Sequence, residues 1–353
     1  MKILVFFLII FGCILQSNAQ IGISNAAPNN NAASIVQNIL VGNGVVVSNI
    51  SFTGNSQQIG VFNSGSSIGM PSGIVMSSGY ALDADLGGSP LSWNTPNNGI
   101  LCNVNPNTVC NDLYTVANSV PVLVGQSFSV SNINDMCVLE FDFVPESDTL
   151  RFNYCFGSEE YLDYVNSNWN DVFGFFVSGP GISGNYSSPA GFPNGSINIA
   201  NVPNSNPSLP ITVSSIHPFI PATVLNPSYP SVNGQYYNTG NTNISYNGYT
   251  DVFTAEVIVQ PCETYHIRLA IADGSDDWVD SGVFLEANSF SSPLASILSN
   301  GASIISDTLT IACNGSIDLE AQINGIYSIL WNTGDTSSII TVTEGDYFFS
   351  VTN

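Results

Sequence analysis

Positive charge is nearly missing from this chain. Its 353 residues hold three Lys and Arg and two His against 26 Asp and Glu, a formal net charge of −23. The acid count is ordinary for the length, so the scarcity of lysine is what makes the chain anionic. Such a field repels polyanions and attracts divalent cations, which excludes nucleic acid and anionic membranes as partners. Charged residues are only 8% of the chain and hydrophobic ones 44%, the composition of a folded protein rather than a disordered one. Histidine is confined to His217 and His266 and no Cys-x-x-Cys occurs, so zinc and thioredoxin-like chemistry lack a ligand set. Beyond the first residues no apolar run is long enough to cross a bilayer.

The first residues, MKILVFFLIIFGCILQSNAQ, read as a secretory signal peptide over 1–19. Lys2 is the positive start, Ile3 to Leu15 the apolar stretch, and Ser17-Asn18-Ala19 a small-x-small cleavage site before Gln20. Cys13 follows Ile10-Phe11-Gly12 in a loose likeness to a lipobox, but Phe11 fits poorly and the apolar run continues past the cysteine. Cleavage leaves Arg151 and Arg268 as the remaining Lys or Arg residues, and six cysteines: Cys102, Cys110, Cys137, Cys155, Cys262 and Cys313. An even count in an exported chain permits disulfides; Cys102 and Cys110 form the best local pair, and the other connectivities stay open.

The expected fold is mainly β: a jelly-roll-like β-sandwich over 20–292 with one short N-terminal helix, then a partial Ig-like β-sandwich over 293–353. NNNAASIVQNILVG gives the helix, with Asn29 to Asn31 as caps, Ala33, Val36, Ile39 and Leu40 at helical spacing, and Gly42 as the stop. GVVVSNISFTG, GIVMSSG, VLEFDFVPES, TLRFNYCF, DVFGFFVSG, DVFTAEVIV, TYHIRLAIAD and SGVFLEANSF read as strands, and residues 180–250 as long loops with short strands. In LRFNYCF, Leu150, Phe152, Tyr154 and Phe156 alternate with Arg151, Asn153 and Cys155, so one face is core and the other partly wet. The style changes after SFSSPLASILSNG. IYSILWNTGDTSSIITVTEGDYFFSV resembles the Ig-like or PKD-like modules of bacterial surface proteins, which implies a buried Trp331 and a chain that continues past Asn353.

Two acidic stretches carry the chemistry. IADGSDDWVDSG places Asp273, Asp276, Asp277 and Asp280 within eight positions, and CFGSEEYLDYVNSNWNDVFGFF holds Glu159, Glu160, Asp163 and Asp171, with Asn166, Asn168 and Asn170 adding carbonyl oxygens. Two carboxylates about 5 Å apart repel by roughly 3 kcal/mol at an effective dielectric near 20. Four on one loop must splay into solvent, protonate or share a cation. Hard oxygens without His or Cys suit Ca²⁺. The spacing Asp273-x-Ser275-x-Asp277 resembles the start of an EF-hand, but Trp278 stands where that loop needs Gly and Phe284 where it needs Glu. Each stretch follows a strand bearing one arginine, so parallel placement of those strands would unite Glu159, Glu160, Asp171, Asp273, Asp276, Asp277 and Asp280 in one composite Ca²⁺ site. Solvated surface loops are the other reading of the same residues. Arg151 and Arg268 themselves are expected to be buried partners of single carboxylates.

At these residues the chain resembles the choice-of-anchor L domain. FGSEEYLDYVNSNWNDVFGFFVSGPGI, INIANVP, YNGYTDVFTAEVIVQPCETYHIRLAIADGSDDWVDSGVFLEANSF and LVGNGVVVSNISFTGNSQQIGVFNSG carry the likeness from about residue 32 to 290. The resemblance implies an extracellular module of Bacteroidota and other bacteria, secreted or at the cell surface, often followed by Ig-like repeats and a type IX sorting domain. Sec export followed by type IX secretion is the implied route. No sorting signal lies within the 353 residues, and Cys155 stands where an aliphatic residue is more usual. The family implies no catalytic residues, so the calcium expectation rests on the acids alone.

Three functions remain open. The first is a non-catalytic binding or adhesion module, Ca²⁺-stabilised, taking a glycan or a surface protein through rings such as Tyr161, Tyr164, Trp169, Tyr236 and Tyr237. The second is a glycoside hydrolase pairing Glu159 or Glu160 with Asp171 or Asp273. The third is a purely structural surface element. GSSIG, Gly65 to Gly69, matches the serine-hydrolase elbow formally, but Met70-Pro71 follows where that motif needs a helix.

Overall fold

The computed structural model describes residues 21–84, 108–222, 227–240, 244–292, 295–299, 302–303, 315–323 and 328–352. The expected leader, Cys102 and Cys313 fall outside them, and so does the pairing of Cys102 with Cys110. Cys137 and Cys155 are buried free thiols and Cys262 is an exposed one.

The chain is mainly β and its sheets are antiparallel. In order the strands are β1 (Gly22–Ser24), β2 (Val45–Thr53), β3 (Ile59–Asn63), β4 (Ser72–Ser77), β5 (Ile133–Pro145), β6 (Thr149–Ser158), β7 (Val172–Ser178), β8 (Ile197–Asn198), β9 (Tyr237–Thr239), β10 (Gly248–Thr250), β11 (Phe253–Ile258), β12 (Tyr265–Gly274) and β13 (Ser281–Glu286). One sheet runs β1-β3-β4-β13-β6-β10-β9 with β11 also on β6; the second runs β2-β5-β12-β7-β8. Every strand segment expected from the sequence is present.

The two sheets share one core, and strand alternation decides which residues enter it. Leu150, Phe152, Tyr154 and Phe156 of β6 meet Phe173, Phe175 and Val177 of β7 and Tyr265, Ile267, Leu269 and Ile271 of β12. Phe175 lies 5.1 Å from Phe152 and 5.0 Å from Tyr154, centroid to centroid, a tilted and an edge-on contact that lock the sheets together.

The N-terminal helix forms as expected but is short. Helix α1 (Ala32–Ile35) is capped by Asn31, whose side chain accepts the Ser34 N–H at 2.9 Å, and continues as one π turn through Leu40. A second helix, α2 (Thr108–Val124), corrects the expectation of one helix. Its Val109, Leu113, Val116 and Ala117 cover Val138, Val172, Phe176, Ala270 and Ala272 on the outer face of the second sheet. That cover explains why β12 is buried on both faces.

Of the two arginines, Arg268 meets the expectation of a buried partner to one carboxylate and Arg151 does not. Arg268, on the α2 side of β12, is buried and paired with Asp112 at 3.1 Å. Arg151 is exposed and makes no ion pair among the described residues. After residue 294 come β14 (Ala295–Ser299), β15 (Ala302–Ser303), β16 (Ile317–Ile323), β17 (Ser328–Trp331), β18 (Ile339–Val342) and β19 (Phe349–Thr352), in sheets β15-β14-β16-β18 and β17-β19. Trp331 is buried among Leu319, Ala321, Ile340 and Val342.

Candidate metal centre

The core-facing rows of three strands run out into carboxylates. On β12 the row Ile267, Leu269, Ile271 is continued by Asp273; on β7 the row Phe173, Phe175 is preceded by Asp171; past β6 the row ending Phe156, Ser158 leads to Glu160. The same alternation that buries the aromatics therefore buries the acids, at one end of the space between the sheets. This corrects the picture of acids on splayed loops. Glu160, Asp171 and Asp273 are 0% exposed, Asp280 4% and Glu159 7%.

Hydrogen bonds show that the two acidic stretches meet. The Asp171 N–H donates to Glu160 Oε2 at 3.2 Å, and the Gly274 N–H donates to Asp171 Oδ1 at 3.0 Å. Ser281 Oγ donates to Asp171 Oδ2 at 2.7 Å, and the Asp280 N–H donates to Glu159 Oε2 at 3.3 Å. Gly274 allows this approach, since a Cβ there would stand 2.5 Å from the Asn170 carbonyl oxygen. Gly79 makes room likewise, its missing Cβ falling 1.8 Å from Asp280 Oδ2.

What the hydrogen bonds leave over is mostly oxygen, with the Asn170 amide nitrogen the exception in this cluster. Both carboxylate oxygens of Asp273, Oε1 of Glu160, Oδ1 of Asp280, Oδ1 of Asp276 and both side-chain polar atoms of Asn170 have no hydrogen-bond partner though buried. An ionised carboxylate in such surroundings costs several kcal/mol if nothing compensates it. The carboxyls respond by holding their protons more tightly. Burial pushes Glu159 up to about 7. It also raises Asp171 to about 7, and Asp276, with Asp277 beside it, to about 6. Burial raises Glu160, Asp273 and Asp280 well above the usual carboxylate range, and neighbouring carboxylates add to it: Asp171 for Glu160 and Asp273, Glu159 for Asp280.

The sequence-predicted residues do not all belong. Glu159, Glu160, Asp171, Asp273, Asp276 and Asp280 come together; Asp277 and Asp163 are exposed. Two acids that the sequence did not point to, Asp83 and Asp135, stand near enough to raise Asp280. Asp135 occupies the irregular step where β5 and β12 slip register, and Asp83 a short helical turn. No local pattern marks either.

Oxygen donors without imidazole or thiolate suit a hard cation, and the unpartnered buried oxygens fit one. Among the described residues no three His, Cys, Asp or Glu side chains already stand as a metal-ligand set. Ligation would therefore require rotation of side chains such as Asp273 and Glu160 within the cluster.

Other candidate sites fare differently. Glu160, Asp171 and Asp273 are sealed from solvent, which leaves no surface for a sugar to reach them as a glycosidase pair. Ser67 of GSSIG sits in a 3-10 turn, its carbonyl bonded by Tyr249 Oη at 3.2 Å, and neither histidine is among its hydrogen-bond partners. Tyr161 is buried with its ring 5.1 Å from that of Tyr237, and Tyr164 meets Trp169 edge-on at 5.6 Å. Of these rings only Trp169 is well exposed.

A pH dependence follows from the raised carboxyls. Unfolded Asp and Glu titrate near 4, so between about pH 4 and 7 the folded, cation-free protein binds more protons than the unfolded chain. Its stability is expected to fall as pH rises through that window. Chemical denaturation in EDTA at pH 5 and pH 8 checks it: a higher midpoint at pH 8 contradicts the burial of these acids.

An antiparallel β module with a carboxylate-filled end is the class of protein that this architecture defines. The chain belongs to the choice-of-anchor L domain family, whose sequence model matches residues 23–291. Membership makes it a surface-associated, extracellular module. No curated protein and no solved structure matches it. No helix among the described residues is long and apolar enough to cross a membrane.

Proposed function

We propose that the protein is a non-catalytic binding module displayed outside the cell, in which Ca²⁺ ties the two sheets together at their acidic end. Asp273 carries the reading: a fully buried carboxylate with only the Ser78 hydroxyl and the Asp171 carboxyl beside it as polar partners, no cation among them, and Asp280 close by. Millimolar extracellular calcium is the available counter-charge, since among the described residues no Lys, Arg or His joins the cluster's hydrogen bonds. In this reading residues 20–292 form a jelly-roll-like domain and 293–353 begin an Ig-like module, with Sec export and type IX secretion as the route. The partner is a glycan or a surface protein. The exposure of Trp169 and Trp278, 43% and 59%, on the two acidic segments supports a partner that stacks on aromatic rings.

The test is thermal unfolding in EDTA and in millimolar CaCl₂. A ligand at 100 times its Kd stabilises by about 2.7 kcal/mol, a rise in Tm of several degrees for a domain of this size. Superimposable curves would reject calcium and leave a surface module without its metal.

A further inference from the structure

The acids at the end of the sheets are divided by the first sheet itself. On β6 and β13, whose Ser158 and Ser281 are paired, the core-facing row is Phe156, Val283 and Leu285. The opposite row is Cys155 and Phe284, part of a separate cluster with Tyr246. Tyr246 covers that outer face closely: a Cβ on Gly157 would lie 2.6 Å from its ring and one on Gly282 2.2 Å from its hydroxyl.

Continued past the strand ends, the alternation sends consecutive acids to opposite sides. Glu160 goes inward, where its Oε2 accepts the Asp171 N–H, with Asn170 and Asp273 beside it. Glu159 goes outward, where its Oε2 accepts the Asp280 N–H while its own N–H donates to the Asp280 carbonyl at 3.0 Å. The Asp280 carboxylate rests on Gly79, which shares the outer row with Ser77, and Ser77 Oγ lies 3.5 Å from Tyr246 Oη. Each side keeps buried oxygen without a donor: Glu160 Oε1 and Asn170 Oδ1 within, Asp280 Oδ1 without. Asp273 stands beside the Asp171 carboxyl and the Ser78 hydroxyl and also feels Asp280, so it is within reach of acids from both groups.

We infer that this end of the domain binds two divalent cations, one inward among Glu160, Asp171 and Asn170 and one outward among Glu159 and Asp280, with Asp273 shared between them. The inference rests on the calcium reading above and adds the count and the division of donors. Glu159, Glu160, Asp171, Asp273, Asp276 and Asp280 surround the two positions, with Asp83 and Asp135 near Asp280 as further carboxylates. A single Ca²⁺, with its six to eight oxygen ligands drawn from one side, would leave the other side's buried charge uncompensated.

Native mass spectrometry of the intact chain titrated with CaCl₂ counts the ions, and calorimetric titration gives their affinities. Two Ca²⁺ per chain are expected. Glu160→Gln should leave only the outer ion and Asp280→Asn only the inner one, while Asp273→Asn should weaken both by tenfold or more. One ion in the unmodified protein overturns the two-ion arrangement and leaves calcium binding intact; no ion overturns both. Loss of both ions from folded Asp280→Asn protein would also overturn the division into two positions. If a variant fails to fold, the count on the unmodified chain decides.

Discussion

Asp273→Asn is expected to move stability in opposite directions with and without calcium. In EDTA the substitution removes a carboxyl that is fully buried, has no cationic partner and has its pKa raised by that burial and by Asp171 and Asp280 beside it, against which the Ser78 hydroxyl is a weak compensation. An amide carries no charge to desolvate and repels neither neighbour, so at pH 8 the variant should be the more stable protein by about 2 kcal/mol, the scale of an uncompensated buried polar group. In millimolar CaCl₂ the order should reverse, because the shared ligand is lost and with it the gain from binding. On the scale of a domain this size, each arm is a shift of roughly 5 °C in Tm. The crossing is the informative part. A solvated acidic loop predicts no change in either condition, and a carboxyl with only a packing role predicts a loss in both. Either of those two patterns would reject a cation at Asp273.

The chain's alternation shows how much of this was readable beforehand. Strand segments such as GIVMSSG and TYHIRLAIAD announce themselves because β-branched and aromatic residues lie between Gly, Pro, Asn and Ser. The acids were also visible as a group. What hid their burial was their position at strand ends, where a reading by composition assigns a loop. A reading by parity would have done better: Asp171-x-Phe173-x-Phe175 and Leu269-x-Ile271-x-Asp273 set the carboxylates on the core row. Asp83 and Asp135 were out of reach, since pairing between distant strands brings them in. Helix α2 was masked by Asn, Ser, Val and Pro121, residues of weak helix propensity, although Val109, Leu113, Val116, Ala117 and Val120 keep helical spacing. The two arginines occupy equivalent sequence settings and opposite environments. The cover laid down by α2 and by the segment after β7 makes the difference, and α2 was the element not foreseen.

That cover supplies the second large effect. Asp112→Ala is expected to cost about 3–5 kcal/mol, the penalty for stranding a buried charge, a drop in Tm of roughly 10 °C. Asp112, on α2, receives Arg268 Nη2 at 3.1 Å and the Ser187 N–H at 2.9 Å, and the Ser187 hydroxyl also bonds it. Arg268 in turn donates from Nη1 to Ser187 Oγ at 3.0 Å, from Nη2 to Ser196 Oγ at 3.2 Å and to the Ser187 carbonyl, with its guanidinium 5.3 Å from the centre of the Phe176 ring. Helix, strand β12 and the segment after β7 thus meet at one ion pair. Removing the carboxylate leaves a guanidinium that is 3% exposed without its hydrogen-bonded counter-charge, with only Glu140, opposite it on β5, to offset it, on a strand buried on both faces. Arg268→Met combined with Asp112→Leu removes both charges and keeps comparable volume, so most of the lost stability should return, as it does when buried ion pairs elsewhere are replaced by packed apolar side chains. Equal destabilisation in the single and the double variant would mean that the hydrogen bonds to Ser187 and Ser196, rather than the paired charges, hold α2 on the sheet.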